Sequence, residues 1–196
     1  MNNKVLRAFA LILASLSLFL SQPCVAQGVV PGTIKWIYPV DQGCTTPAIG
    51  HNGTIYVPSG NRLLAINPNG TLKWSFDTEI ADGLVGIPSV DSQGNIYFVV
   101  WYFVETIGGQ GAIYALDSNK NIIWKKQSGG SEICAEIAIN PDSTLYVSRG
   151  TYGAGYIQAF TIAGQQKWIA QNENGLTPAI SQDGNIFDGI CELNSL

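Results

Sequence analysis

Four segments of this chain can be laid over one another: TPAIGHNGTIYV (46–57), IPSVDSQGNIYFV (87–99), EIAINPDSTLYV (136–147) and TPAISQDGNIF (177–187). Pro47, Pro88, Ile137 and Pro178 fall in one column, at spacings of 41, 49 and 41 residues. A second column holds Ala65, Ala115 and Ala159, each followed nine residues later by Trp74, Trp124 or Trp168. Self-similarity at such a period means that each repeat is one supersecondary unit whose apolar face its neighbours must bury.

Within a unit, apolar residues alternate in short runs, the pattern of half-buried strands. Strand A holds the Pro column. A turn at His51-Asn52-Gly53, Ser92-Gln93-Gly94, Pro141-Asp142-Ser143 or Gln182-Asp183-Gly184 then leads to strand B around Tyr56, Tyr97, Tyr146 or Phe187. Strand C carries the alanine and strand D the tryptophan. Four antiparallel strands in about 40–50 residues predict an all-β chain built as a β-propeller of about four four-stranded blades, closed or left as an open arc.

The phrase GTIYVPSGNRLLAINPNGTLKW (53–74) resembles a blade of the pyrroloquinoline-quinone-like repeat family. That family includes quinoprotein dehydrogenases and the outer-membrane assembly lipoprotein of the BamB type. The resemblance implies that Trp36, Trp74, Trp124 and Trp168 dock each blade onto the next, and that strand A lines a central channel. It also raises an enzyme reading, a fragment or relative of a quinone-dependent dehydrogenase holding the quinone with calcium. Those enzymes use adjacent cysteines, which this chain lacks, and more blades than four. His51 is the single histidine, with no Ser/His/Asp grouping. We expect no catalytic, cofactor-binding or metal residues. The expected role is a binding or scaffold module for a protein or surface polymer.

Residues 1–26 read as a secretory signal: Lys4 and Arg7 precede an apolar run from Ala8 to Leu20, and Cys24-Val25-Ala26 offers small residues before a cut. The predicted result is an exported domain over 27–196, periplasmic or secreted and not membrane-spanning. Cleavage removes two of ten basic residues and none of fourteen acidic ones, moving the net charge from −4 to −6. An acidic chain without a basic run is excluded as a nucleic-acid binder. Cys44 and Cys134 stand at equivalent sites of two non-neighbouring blades, so no bond between them is expected.

Repeats also show where the chain departs from its own pattern. Strand B and strand C columns are closest in the first blade and furthest apart in the second, where VVWYFVETIGGQG (99–111) places Trp101, Tyr102 and Phe103 in succession. Its two readings are an extended hairpin packed on the next blade and an aromatic surface for a partner. The corresponding loop of the third blade adds Arg149, Tyr152 and Tyr156. These six are the candidate contact residues. Eight acidic residues, among them Asp77, Glu79, Asp82 and Glu105, are expected to rim the same face.

At the N-terminus PGTIKW (31–36) copies NGTLKW (69–74) without the strand that should precede it. ICELNS (190–195) resembles IYALDS (113–118), a strand C with no strand D after it. Pairing of residues 34–38 with 190–195 would close a ring of four blades. The alternatives are a truncated product or an open arc, whose exposed edges are expected to aggregate or to pair two copies into a homodimer.

Overall fold

The computed structural model of the chain describes residues 32–40, 43, 45–128, 133–151, 154–172, 178–188 and 191–193. The expected signal over 1–26 lies outside the described residues, as do Asp41, Cys44, Tyr152, Glu132 and Glu173. The chain divides into two units, Met1–Lys35 and Trp36–Leu196. Of the first, residues 32–35 are described and form no strand. The second holds every described strand.

Strands β1 (Ala48–Ile49), β2 (Ile55–Ser59), β3 (Arg62–Ile66) and β4 (Leu72–Asp77) form the first sheet in chain order. In the second, β5 (Leu84–Val85) and β6 (Ser89–Val90) both pair with β7 (Ile96–Val104), followed by β8 (Gly108–Leu116) and β9 (Ile122–Ser128). The third is β10 (Ile133–Ile139), β11 (Thr144–Thr151), β12 (Ala154–Thr161) and β13 (Gln166–Asn172). The fourth has three strands, β14 (Ala179–Ile180), β15 (Ile186–Asp188) and β16 (Cys191–Leu193). All pairings are antiparallel meanders, so the architecture is all-β and propeller-like, and its sheets are not closed.

Ring closure by a strand at 34–38 is corrected by this result. Residues 33–40 form no strand, and β16 pairs with β15. A strand needs a ladder partner for its amides, and none runs beside this segment among the described residues of the second unit.

The two repeat columns have a common explanation in the register. Tyr56 pairs Ala65 and Ala65 pairs Trp74; the same row recurs as Tyr97, Ala115, Trp124 and as Tyr146, Ala159, Trp168. The methyl group in the middle leaves room for the tyrosine and tryptophan rings to meet across it, at centroid distances of 5.8, 6.1 and 5.7 Å. After each alanine the ladder shifts by one residue, so Ile66 pairs Leu72 and Lys73 is left over as a bulge. Lys167 occupies the same bulge in the third blade. Each ammonium reaches a buried threonine hydroxyl at the start of strand B, Lys73 Nζ to Thr54 Oγ1, just before β2, at 3.5 Å and Lys167 Nζ to Thr144 Oγ1, the first residue of β11, at 3.0 Å.

Proline sets the length of strand A. Pro47, Pro88 and Pro178 each stand immediately before a two-residue strand, where the missing N–H interrupts no ladder. The third blade has Ile137 in that column, and its strand A runs on for seven residues, with one irregularity between Cys134 and Ile137. Hairpin turns obey the same periodicity. Gly53, Gly94, Ser143 and Gly184 after strand A, and Gly70, Lys120 and Gly164 after strand C, all have φ between 66° and 89°.

The apolar core lies between sheets. Tyr56, Leu63, Ala65, Trp74 and Phe76 of the first pack on Ile96, Phe98, Val100, Tyr114 and Leu116 of the second. Tyr97, Val99, Ile113, Ala115 and Trp124 of the second pack on Ile137, Leu145, Val147 and Phe160 of the third. Three of the four docking tryptophans end in a hydrogen bond to the turn of the following blade: Trp36 Nε1 donates to Pro68 O (3.0 Å), Trp74 to Ser118 O (3.1 Å) and Trp124 to Ile162 O (2.7 Å). Trp36 therefore holds its docking position without belonging to a strand. Trp168 packs beside Tyr146 and Ile186.

The strand B tyrosines give the fold a pH dependence. Burial raises the pKa of Tyr56, Tyr97 and Tyr146, and for Tyr97 and Tyr146 the neighbouring charges of Asp91 and Asp142 add to it. Tyr97 Oη also donates to Asp91 Oδ2 at 3.0 Å. The folded chain thus keeps phenolic protons that the unfolded chain releases near pH 10. Stability is unaffected by these groups below that pH and falls as pH rises above it. Denaturant midpoints measured from pH 8 to 11 should show this decline, and Tyr97→Phe should remove about one proton from its slope.

Candidate functional site

The expected long loop of the second blade is a hairpin. β7 and β8 pair along their whole length, from Ile96 with Leu116 to Val104 with Gly108. Residues 105–107 form the turn, closed by Ile107 N–H to Val104 O at 3.1 Å, with Gly108 at φ 82°. The first-blade counterpart, β2 and β3, has five-residue strands against nine here.

Glycine composition near the tip serves the aromatics. Trp101 pairs Gly111, and Phe103 pairs Gly109. A Cβ on Gly109 would stand 3.2 Å from Trp101 Nε1, so the indole lies close over that backbone. Cross-strand glycine gives an aromatic ring space to fold down on the sheet. Trp101 is half-buried beside Leu84, while its Nε1 is buried without a hydrogen-bond partner among the described residues. Tyr102 is half-buried, and its hydroxyl accepts from Gln127 Nε2. Phe103 and Ile107 are the exposed pair, at 62% and 59%.

The other candidates separate from that tip. Arg149 is 8% exposed on β11, and its Nη1 donates to Gln158 Oε1 at 3.0 Å. Tyr156 sits opposite it on β12, half-buried. Arg149 lines a cleft of about 260 Å³ between the second and third blades, together with Ile113, Lys126, Gln158, Phe160 and Gln166. Gln158 Nε2 donates in turn to Gln166 Oε1 at 2.5 Å. Sequence reasoning missed Lys126, Gln158 and Gln166, although the repeat marks them. Gln158 stands where the first two blades have Leu64 and Tyr114, and Lys126 stands where the first blade has Phe76.

Of the expected acidic rim, Asp77 accepts from Glu79 N–H at 2.9 Å, which holds Glu79 at φ 62° in the connector. Among the described residues no three His, Cys, Asp or Glu side chains are grouped to hold a metal ion, and no helix is long and apolar enough to cross a membrane.

No known protein-family profile matches the chain, and no curated protein matches its sequence. Solved structures do. The chain is similar to a protein of unknown function from Bacteroides caccae, with 16% identity and a TM-score of 0.57, over 77% of this chain and 55% of that one. It is similar also to a eukaryotic initiation factor, with 13% identity and a TM-score of 0.51, over 68% of this chain and 33% of that one. This chain thus spans about half the length of the first and a third of the second. A virginiamycin B lyase from Staphylococcus aureus superposes at a TM-score of 0.42 and 13% identity, over 76% of this chain and 64% of that one, too low to bear on the argument. These likenesses concern the fold alone.

Proposed function

We propose that the chain is an exported, non-catalytic propeller-repeat protein of the pyrroloquinoline-quinone-like type, which binds a protein or a surface polymer through the face carrying the β7–β8 hairpin. The observation that carries this reading is the exposed Phe103 and Ile107 at the end of the lengthened strands. Core packing between the first two blades is complete by Val100 and Ala112, so the outer half of the hairpin adds little to the core. Aromatic residues presented on a rigid scaffold are the usual anchors of a binding surface. The tryptophan hydrogen bond to the following turn supports a propeller repeat, and the resemblance of residues 53–74 supports its type, although the nine-residue alanine-to-tryptophan spacing is one residue shorter than the form common in the quinoprotein enzymes.

The double variant Phe103→Ala/Ile107→Ala tests it. Labelled chain should be captured by isolated cell envelopes or by exported proteins. The variant should lose about tenfold in capture, the scale of one binding anchor, with its thermal midpoint unchanged. Capture that persists undiminished would end the reading.

A further inference from the structure

Trp36 sits where the repeat places the tryptophan of a strand D, although its backbone belongs to no ladder among the described residues. Its Nε1 donates to Pro68 O as Trp74 donates to Ser118 O and Trp124 to Ile162 O. A Cβ on Gly70 would lie 2.6 Å from Trp36 Cγ, and one on Gly164 would lie 2.8 Å from Trp124 Cδ2, so the indole presses on the turn glycine in both places. Burial then alternates along the segment. Trp36, Tyr38 and Val40 are half-buried, whereas Ile37, at 78%, and Pro39 are exposed. That is the period of a strand whose inner side chains are docked before its backbone is paired.

The complete first sheet shows what such a segment accepts. Asn67 N–H donates to Thr71 O, and alternate residues of a strand aim their peptide groups to one side, so Ala65 and Leu63 turn theirs toward β4. Ala65 and Trp74 are therefore a hydrogen-bonded pair, and Leu64 and Ser75 a non-bonded one. A strand C beside residues 36–38 would place its alanine-column residue opposite Trp36 and the residue before that opposite Ile37. The fourth sheet has a strand of this kind. Phe187 pairs Glu192 as Tyr97 pairs Ala115, and Ile186 pairs Leu193 as Ile96 pairs Leu116, so β16 is a strand C in the register of the other blades. Glu192 takes the alanine column, with Cys191 before it. β16 pairs β15 on one side and no described strand on the other.

Within one chain these two halves of a blade do not pair: residues 36–40 form no strand, and the sheets are not closed. We infer that they pair between two copies of the chain, residues 36–38 of each lying antiparallel beside β16 of the other as the outer strand of its fourth blade. Trp36 then pairs Glu192, and Ile37 pairs Cys191, across the join. With four sheets in each copy, reciprocal exchange about a two-fold axis makes a ring of eight blades, a size that propellers adopt. Pairing of this kind covers the edges that an open arc leaves free. The join is separate from the hairpin tip, so the reading of Phe103 and Ile107 stands or falls independently of it.

Mass and register are both measurable on the full chain. Sedimentation equilibrium should give twice the mass of one chain. Under mild copper-phenanthroline oxidation, Ile37→Cys should form a disulfide with Cys191 of the second copy, seen as a two-chain band on a non-reducing gel and as a linked peptide after digestion. A non-bonded antiparallel pair brings its Cα atoms to about 4.5 Å, within the span of a disulfide. Pro39→Cys, exposed like Ile37 but two residues out of register, should not yield that peptide. Residue 37 is exposed, so neither its side chain nor its loss enters the core, and circular dichroism would show that both variants are folded. A single-chain mass, an open-ended series of larger masses, a disulfide to Cys191 inside one chain, or equal linkage from Pro39→Cys would each overturn the proposal. So would folded Ile37→Cys that gives no linkage to Cys191.

Discussion

Replacing Trp124 by alanine is expected to cost about 3–4 kcal/mol, a fall of about 10 °C in thermal midpoint for a chain of this size. The ring touches Tyr97 at 6.1 Å and Phe160 at 6.4 Å, so its loss opens the interface between the second and third blades from both sides. It also leaves Ile162 O without its 2.7 Å donor. Trp124→Phe separates the two contributions: it keeps most of the ring and removes the N–H, for a cost of about 1 kcal/mol. Chemical denaturation of the three proteins measures both differences. A cost below about 1 kcal/mol for alanine would show that the tryptophans do not dock the blades.

Those tryptophans were legible because they repeat. A residue type that returns at one phase of a period points to packing, and packing between neighbours is what a repeat architecture demands. The same reasoning located the turns, since a positive φ at Gly53, Gly94 and Gly184 needs the residue type found there. It left two readings open where spacing alone was the guide. The separation of Tyr97 from Ala115 is the same for a long loop as for two longer paired strands. What distinguishes them is the pairing of Trp101, Phe103 and Val104 with Gly111, Gly109 and Gly108, a cross-strand relation that the linear sequence does not display. The segment at 34–38 has strand composition, but a strand is a property of a pair. Trp36 keeps its side-chain docking, which needs only one carbonyl, while its backbone forms no ladder.

The candidate residues divided for a similar reason. Trp101, Tyr102, Phe103, Arg149 and Tyr156 lie toward one end of their strands, but successive strand residues face opposite sides. Phe103 is exposed, whereas Arg149 turns into the interface and is buried. The cleft could have been read from the alignment by asking which apolar columns turn polar in one blade only. Lys126 and Gln158 answer that question from neighbouring strands of different blades, whose faces meet only once the sheets are stacked.

Gly164→Ala is expected to destabilise the chain by about 3 kcal/mol, and Gly94→Ala by about 1 kcal/mol, although both glycines hold the left-handed conformation, at φ 78° and 87°. The backbone penalty is common to the two. The difference is what the new methyl group meets. At Gly94 the nearest atom is Ser118 Cβ at 4.0 Å, an ordinary contact. At Gly164 the methyl would lie 2.8 Å from Trp124 Cδ2, and the ring would have to leave the position from which it bonds Ile162 O. Displacing a docked indole costs on the scale of overpacking, about 1–3 kcal/mol. Lys120 occupies the same turn position in the second blade at φ 66°, so Lys120→Gly should gain about 1 kcal/mol by relieving the backbone. Denaturant midpoints of the three variants test the argument. Equal costs for Gly164→Ala and Gly94→Ala would mean that the turn conformation alone matters and that the tryptophan does not press on the turn beneath it.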